Sequence, residues 1–154
     1  MNGHTRKKVL ILCTGNSCRS QMAEALINAR LGDSWQAWSA GTHPTGFVHL
    51  LAITVLNEIG IRHLGQSKKI TELPQKDFDL VITVCDDAAE KCPLWLGMGR
   101  RVHINLPDPS QEEGTEQERL AAFRSLRDEI AEKVIGYLKK YSAHDQDQTR
   151  SSDE

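Results

Sequence analysis

Long apolar runs are missing from this 154-residue chain. The stretch from Met1 to Lys8 is polar and basic. Val9 to Leu12 is far too short for a signal-peptide core or a membrane span. A cytoplasmic protein without a membrane partner is the expectation. A surplus of charge is missing too. Nineteen basic residues against 21 acidic ones leave a net charge of −2, which argues against a nucleic-acid surface or an anionic lipid partner. Cysteine is scarce, with only four: Cys13, Cys18, Cys85 and Cys92. In a reducing compartment these are not expected to form a permanent disulfide framework. Separations of four and six intervening residues match no common C-x-x-C pair, and His43, His49, His63 and His103 show no ligand spacing, so no metal site is expected. Catalytic or redox use of the cysteines is the better reading. No internal repeat or low-complexity tract stands out.

What is present alternates. Lys8 to Leu12 reads as a buried strand, and Ser20 to Leu31 as a helix with Met22, Ala23, Ala25, Leu26 and Ala29 on its apolar face and Gly32 as its stop. Ser34 to Ala40 alternates like a strand, and Gly41 to Gly46, with Pro44, is a loop. Val48 to Ile59 is a second helix, with Leu51, Ile53, Val55, Leu56 and Ile59 as core candidates and Gly60 as its stop. Ile70 and Leu73 suit a short helical turn. Phe78 to Val84 is the strongest strand pattern and runs into Cys85. Asp86 to Lys91 suits a short helix or turn, Arg101 to Asn105 a last strand, and Thr115 to Tyr141 a long amphipathic helix carrying Leu120, Phe123, Leu126, Ile130, Val134 and Leu138. This order predicts an α/β fold, a four-stranded parallel sheet flanked by helices on both faces, in a single domain over residues 1–141. Residues 142–154 have almost no apolar content and read as a disordered tail. In such sheets ligands sit beyond the carboxyl ends of the strands, where strand order reverses. If the strands ending near Cys13 and Cys85 are neighbours there, both sulfurs lie on one rim.

The stretch that carries chemistry is Cys13-Thr14-Gly15-Asn16-Ser17-Cys18-Arg19-Ser20. Five residues separate the cysteine from the arginine, and a helix follows. Successive amides of a loop entering a helix can converge on a phosphate-shaped anion. Gly15 allows a turn that a β-carbon would hinder, Asn16 can bridge loop groups, and Arg19 offers a planar fork to two oxygens. A thiolate is favoured at a helix N-terminus beside an arginine, and Ser20 can donate a hydrogen bond to it. Cys13 is therefore the candidate nucleophile. Thr14, Gly15, Asn16, Ser17, Cys18, Arg19 and Ser20 are candidate oxyanion-binding residues. Cys18 reads as a small packing residue, because a second thiolate would repel the anion. Asp108, held between Pro107 and Pro109, can be aimed rigidly as a general acid.

Cys13 to Ala25 resembles the signature of the low-molecular-weight tyrosine phosphatase superfamily, and in particular the arsenate reductases built on that fold. Ser39-Ala40-Gly41, the stretch from Val81 to Pro93 and Asp108-Pro109 extend the resemblance from about Lys8 to Tyr141. It implies a low-molecular-weight tyrosine phosphatase-like fold and catalytic roles for Cys13, Arg19 and Asp108. The segment from Val84 to Pro93 resembles the redox segment of the thioredoxin-coupled enzymes. That likeness implies a Cys13–Cys85–Cys92 thiol relay, arsenate as substrate, thioredoxin as electron donor, no tightly bound cofactor, and a monomer. Family phosphatases usually place an aromatic residue directly after Asp-Pro, where this chain has Ser110. Some family reductases hold a monovalent cation with residues matching Asn16, Glu24 and Ser39 plus an acidic one. Here Lys68 stands in the acidic position, and its ammonium is expected to replace the cation. The alternatives are a tyrosine phosphatase, which has no use for Cys85 and Cys92, and a non-catalytic oxyanion- or redox-responsive binding protein.

Overall fold

Four short strands, all parallel, form one sheet in the order β2-β1-β3-β4. They are β1 (Lys7–Cys13), β2 (Trp35–Gly41), β3 (Leu80–Thr83) and β4 (Arg100–His103). The computed structural model describes residues 6–74, 76–91 and 100–141. Cys92 and the tail at 142–154 lie outside the described residues. The helices are α1 (Arg19–Arg30), α2 (Leu50–Asn57), α3 (Asp86–Lys91) and α4 (Glu116–Ile130).

The two central strands explain the layering. Successive strand residues point to opposite faces, yet Val9, Leu10, Ile11 and Leu12 are all fully buried, as are Leu80, Val81 and Ile82. Both faces of β1 and β3 are therefore covered, the condition under which parallel strands read as continuous apolar runs. β4 lies at the edge, with Arg101 and His103 exposed and Arg100 and Val102 half-buried.

Two departures from the sequence pattern have physical causes. Ile59, a core candidate, is exposed, because α2 ends at Asn57 and the chain turns at Gly60, whose φ of +81° suits a residue without a β-carbon. The long C-terminal helix starts as expected, with Thr115 capping the Glu118 amide and Glu118 returning the bond to the Thr115 amide. It then passes through a π-helical turn at Ala131–Ile135 before continuing to Tyr141. Ile130, Val134 and Leu138 recur every four residues, a spacing that drifts around a regular α-helix. The wider turn keeps all three buried.

β1 turns to β2 on one side and to β3 on the other, so strand order reverses at its carboxyl end. Cys13 is the last residue of β1. The pairing Leu12↔Thr83, followed by the Val84 amide on the Leu12 carbonyl at 2.9 Å, brings Cys85 to the same rim. The end of β2 adds a third arm. Gly41 forms a parallel bridge to Lys69 and donates its amide to the Lys68 carbonyl at 2.9 Å, which draws the 66–69 segment up beside the Cys13 loop.

Candidate active site

The loop between β1 and α1 is held from inside. The Asn16 amide donates to the Cys13 sulfur at 3.2 Å, and Asn16 Nδ2 donates to Ser20 Oγ at 2.7 Å. Since Ser20 Oγ accepts that bond, its own proton is free for the Cys13 sulfur 2.9 Å away. Asn16 Oδ1 accepts from Gln21 Nε2 at 3.0 Å and from the Lys68 amide at 2.9 Å. Gln21 Nε2 also reaches the carbonyls of Asn16 and Gln66, while Gln21 Oε1 meets His63 Nε2 at 2.6 Å. Asn16, Ser20 and Gln21 are fully buried, and no buried side-chain nitrogen or oxygen among the described residues lacks a hydrogen bond.

The backbone turn falls on Asn16, not on Gly15. Asn16 has φ +49°, and asparagine tolerates this left-handed conformation better than most residues. Gly15 serves a close approach instead, since a β-carbon there would come within 3.2 Å of Thr45 Cγ2. Gly41 matters more: a β-carbon there would meet the Thr14 carbonyl at 2.5 Å, so a side chain would push β2 away from the loop.

Cys13 is 2% exposed and looks into a cavity of about 320 Å³. Thr14, Gly15, Ser17, Cys18 and Arg19 line it from the loop, Asp108, Ser110 and Gln111 from beyond β4, and His43, Thr45, Phe47 and His49 from the segment before α2. Arg19 reaches across, donating to the Leu106 carbonyl at 3.4 Å and lying 3.6 Å from Asp108 Oδ2. Asp108 is pinned by the Ser110 amide at 3.0 Å and the Ser110 hydroxyl at 2.7 Å, both on Oδ1. Partial burial raises the Asp108 pKa, but the Ser110 hydrogen bonds, Arg19 and Gln111 outweigh it, so the carboxyl lies below its usual range. Cys18 is pushed up to about 12, chiefly by burial and then by the Asp108 charge, which keeps it a thiol as expected of a packing residue.

Cys85 is 8% exposed, and its sulfur lies 3.2 Å from the Thr14 hydroxyl. Thus Cys13, Arg19, Asp108, Thr14 and Cys85 meet at one strand-end rim, and Cys92 falls outside the described residues. Several supporting groups carry no recognisable sequence signal: Gln21, the Lys68 amide, and Ser67, which donates to the Gly15 carbonyl at 3.1 Å. Behind the loop, burial raises the Glu24 pKa, opposed by the Ser39 hydrogen bond and the Lys68 charge. The Lys68 ammonium itself donates to the Gln66 carbonyl at 2.8 Å. Among the described residues no group of three His, Cys, Asp or Glu side chains could hold a metal ion, and no helix is long and apolar enough to cross a membrane.

Arranged this way, the rim can bind a tetrahedral oxyanion, attack it with sulfur and protonate a leaving oxygen. The chain is similar to several known proteins. An arsenate reductase of Bacillus licheniformis is 43% identical over 132 residues, covering 84% of this chain and 94% of the relative. The solved structure of an arsenate reductase in the phosphate binding state superposes with a TM-score of 0.73 at 30% identity, over 87% of this chain and 98% of that one. A low molecular weight protein tyrosine phosphatase from T. tengcongensis superposes with a TM-score of 0.70 at 26% identity, over 87% and 99%. With residues 8–147 matching its signature throughout, the chain belongs to the low molecular weight phosphotyrosine protein phosphatase family.

Proposed function

We propose that this protein reduces arsenate to arsenite through a thiol relay. The observation that carries the proposal is Cys85 beside the loop, its sulfur 3.2 Å from the Thr14 hydroxyl. A phosphatase needs one cysteine and water, and gains nothing from a second thiol at the neighbouring strand end. The arsenate reductase relatives favour the same reading.

The loop amides and Arg19 hold the arsenate dianion. The Cys13 thiolate, stabilised by the Ser20 hydroxyl and the Asn16 amide, attacks arsenic and forms an S–As bond as hydroxide departs. Asp108 donates the proton that turns the hydroxide into water. Its low pKa suits this role only with substrate bound, when a dianion engages Arg19 and its negative charge drives the neighbouring carboxyl upward. Cys85 then attacks the Cys13 sulfur. The S–As electron pair passes to arsenic, arsenite leaves, and a Cys13–Cys85 disulfide remains. The Thr14 hydroxyl, on Cys85, stabilises the attacking thiolate. Cys92 next attacks Cys85, releasing Cys13 as thiolate, and a dithiol donor of the thioredoxin class reduces the Cys85–Cys92 disulfide. The enzyme acts as a cytoplasmic monomer.

The test follows NADPH oxidation with arsenate, thioredoxin and thioredoxin reductase for wild type, Cys13→Ser and Cys92→Ser. Turnover in the wild type, lost in both variants, supports the relay. Arsenate turnover untouched by Cys92→Ser rules it out, and hydrolysis of aryl phosphates without arsenate turnover returns the chain to the phosphatases.

A further inference from the structure

The cavity wall contributed by the segment before α2 carries a histidine that the chemistry above does not use. His49 is the N-cap of α2, and its ring Nδ1 accepts the Leu51 amide at 3.1 Å. That bond sets the tautomer. With Nδ1 occupied by a donor, the neutral ring carries its proton on Nε2, and protonating Nδ1 would turn one donor against another. Burial and the Arg119 charge push the His49 pKa down, against the opposing pull of Asp108. The ring plane is fixed as well, since it lies tilted against the buried Phe123 ring with centroids 4.7 Å apart. The backbone is tied to the anion loop itself, the His49 amide donating to the Ser17 carbonyl at 3.0 Å.

One polar atom of the ring is left. Nε2 has no protein partner among the described residues, where no buried side-chain nitrogen goes without one, so it is open to solvent on a residue that lines the cavity. We infer that His49 is a further substrate-binding residue, its Nε2–H donating to the oxygen of an inorganic oxyanion that faces the cavity mouth. The inference rests on the oxyanion site described above, but not on arsenate reduction. Loop amides and Arg19 serve the oxygens turned toward the loop. The remaining oxygen faces Asp108 and the segment before α2. In arsenate or phosphate that oxygen accepts a hydrogen bond readily. In an aryl ester it carries the aromatic ring. A neutral donor there selects free oxyanions over esters without adding a charge that would hold product.

Two substitutions separate substrate binding from helix capping. Asparagine caps α2 as well as histidine does but is too short to reach the cavity, whereas glutamine keeps a neutral N–H at about the distance of Nε2. Isothermal titration with inorganic phosphate should give a Kd about tenfold weaker for His49→Asn, and within about threefold of wild type for His49→Gln. In steady state, His49→Asn should raise the arsenate KM by a similar factor while the KM for para-nitrophenyl phosphate moves less than about twofold. An unchanged phosphate Kd in a His49→Asn protein that melts like wild type overturns the inference, as does an equal shift for the ester. Should either variant fold poorly, the wild type decides: the His49 Nε2–H resonance must shift on titration with phosphate, and a static resonance refutes the contact. Phosphate binding that depends on His49 in a protein that does not turn over arsenate would sink the reductase reading and leave this one standing.

Discussion

The two cysteines at the strand-end rim are held very differently. Cys13 sits at the centre of a network in which Asn16, Ser20, Gln21 and the Lys68 amide are joined by hydrogen bonds, with Asn16, Ser20 and Gln21 fully buried. Cys85 has one hydroxyl contact, from Thr14, and leads straight into α3, a helix of six residues whose Asp86, Ala89 and Glu90 are exposed. A single turn and a half of helix is marginal without packing. Ala88 is the described residue that anchors it in the core, while the exposed Asp86 lies 3.4 Å from His103, a contact of little weight at the surface. Binding and attack demand groups fixed before substrate arrives. Thiol exchange demands that one sulfur be reached first from one side and then from another, which a lightly held segment permits at small cost.

That contrast can be broken most sharply at Cys85. Cys85→Ser should abolish arsenate turnover yet leave para-nitrophenyl phosphate hydrolysis within about threefold of wild type, since a serine cannot exchange disulfides but the anion loop is intact. Parallel loss of both activities, measured on the same preparation, would mean that the two stations are one structural unit. Asn16→Ala attacks the rigid station instead. It leaves the Lys68 N–H without its acceptor, removes the Nδ2 donor from the buried Ser20 hydroxyl and forces alanine into a left-handed turn, so urea unfolding should show a loss of about 3 kcal/mol, with both activities falling together.

A smaller effect is expected from acid. The folded Asp108 pKa lies below the ordinary 3.8, so the ionised carboxylate stabilises the fold above that value, and the contribution is lost as pH falls through the folded pKa. Wild-type stability should therefore drop more steeply than that of Asp108→Asn as the solution is acidified below about pH 4, as followed by urea midpoints. Identical slopes would remove Asp108 from the ionic set of the rim. The smallest effect is expected from potassium. With the Lys68 charge already acting on Glu24, exchanging sodium for potassium should leave arsenate turnover within about twofold. Marked activation by potassium would show that the ammonium does not stand in for a cation.

Much of the site was legible because its parts are close in sequence or lie at strand ends. Cys13 to Ser20 is contiguous, so an apolar strand, a small-residue loop and an arginine at a helix start could be read as an oxyanion loop directly. Alternation puts Cys85 at a carboxyl strand end, and the pairing of β1 with β3 then sets it on the same rim as Cys13. Asn16 was harder. The residue pattern points to Gly15 for the turn and to the Asn16 amide as a bridge, yet the positive φ falls on Asn16, whose side chain is held by the bonds around it. The edge character of β4 and the exposure of Ile59 likewise depend on which elements stand next to them, which apolar periodicity does not record.

The chain by itself therefore determined the order of strands and helices, the nucleophile loop and the presence of thiols to spare, since each is a local pattern of residue types. Which strands are neighbours, which donors close around Asn16, and that His49 both caps α2 and lines the cavity were decided only by tertiary structure. Those relations join residues dozens of positions apart. They rest on the packing of a sheet covered on both faces, where every buried polar group must find a partner wherever the fold happens to bring one.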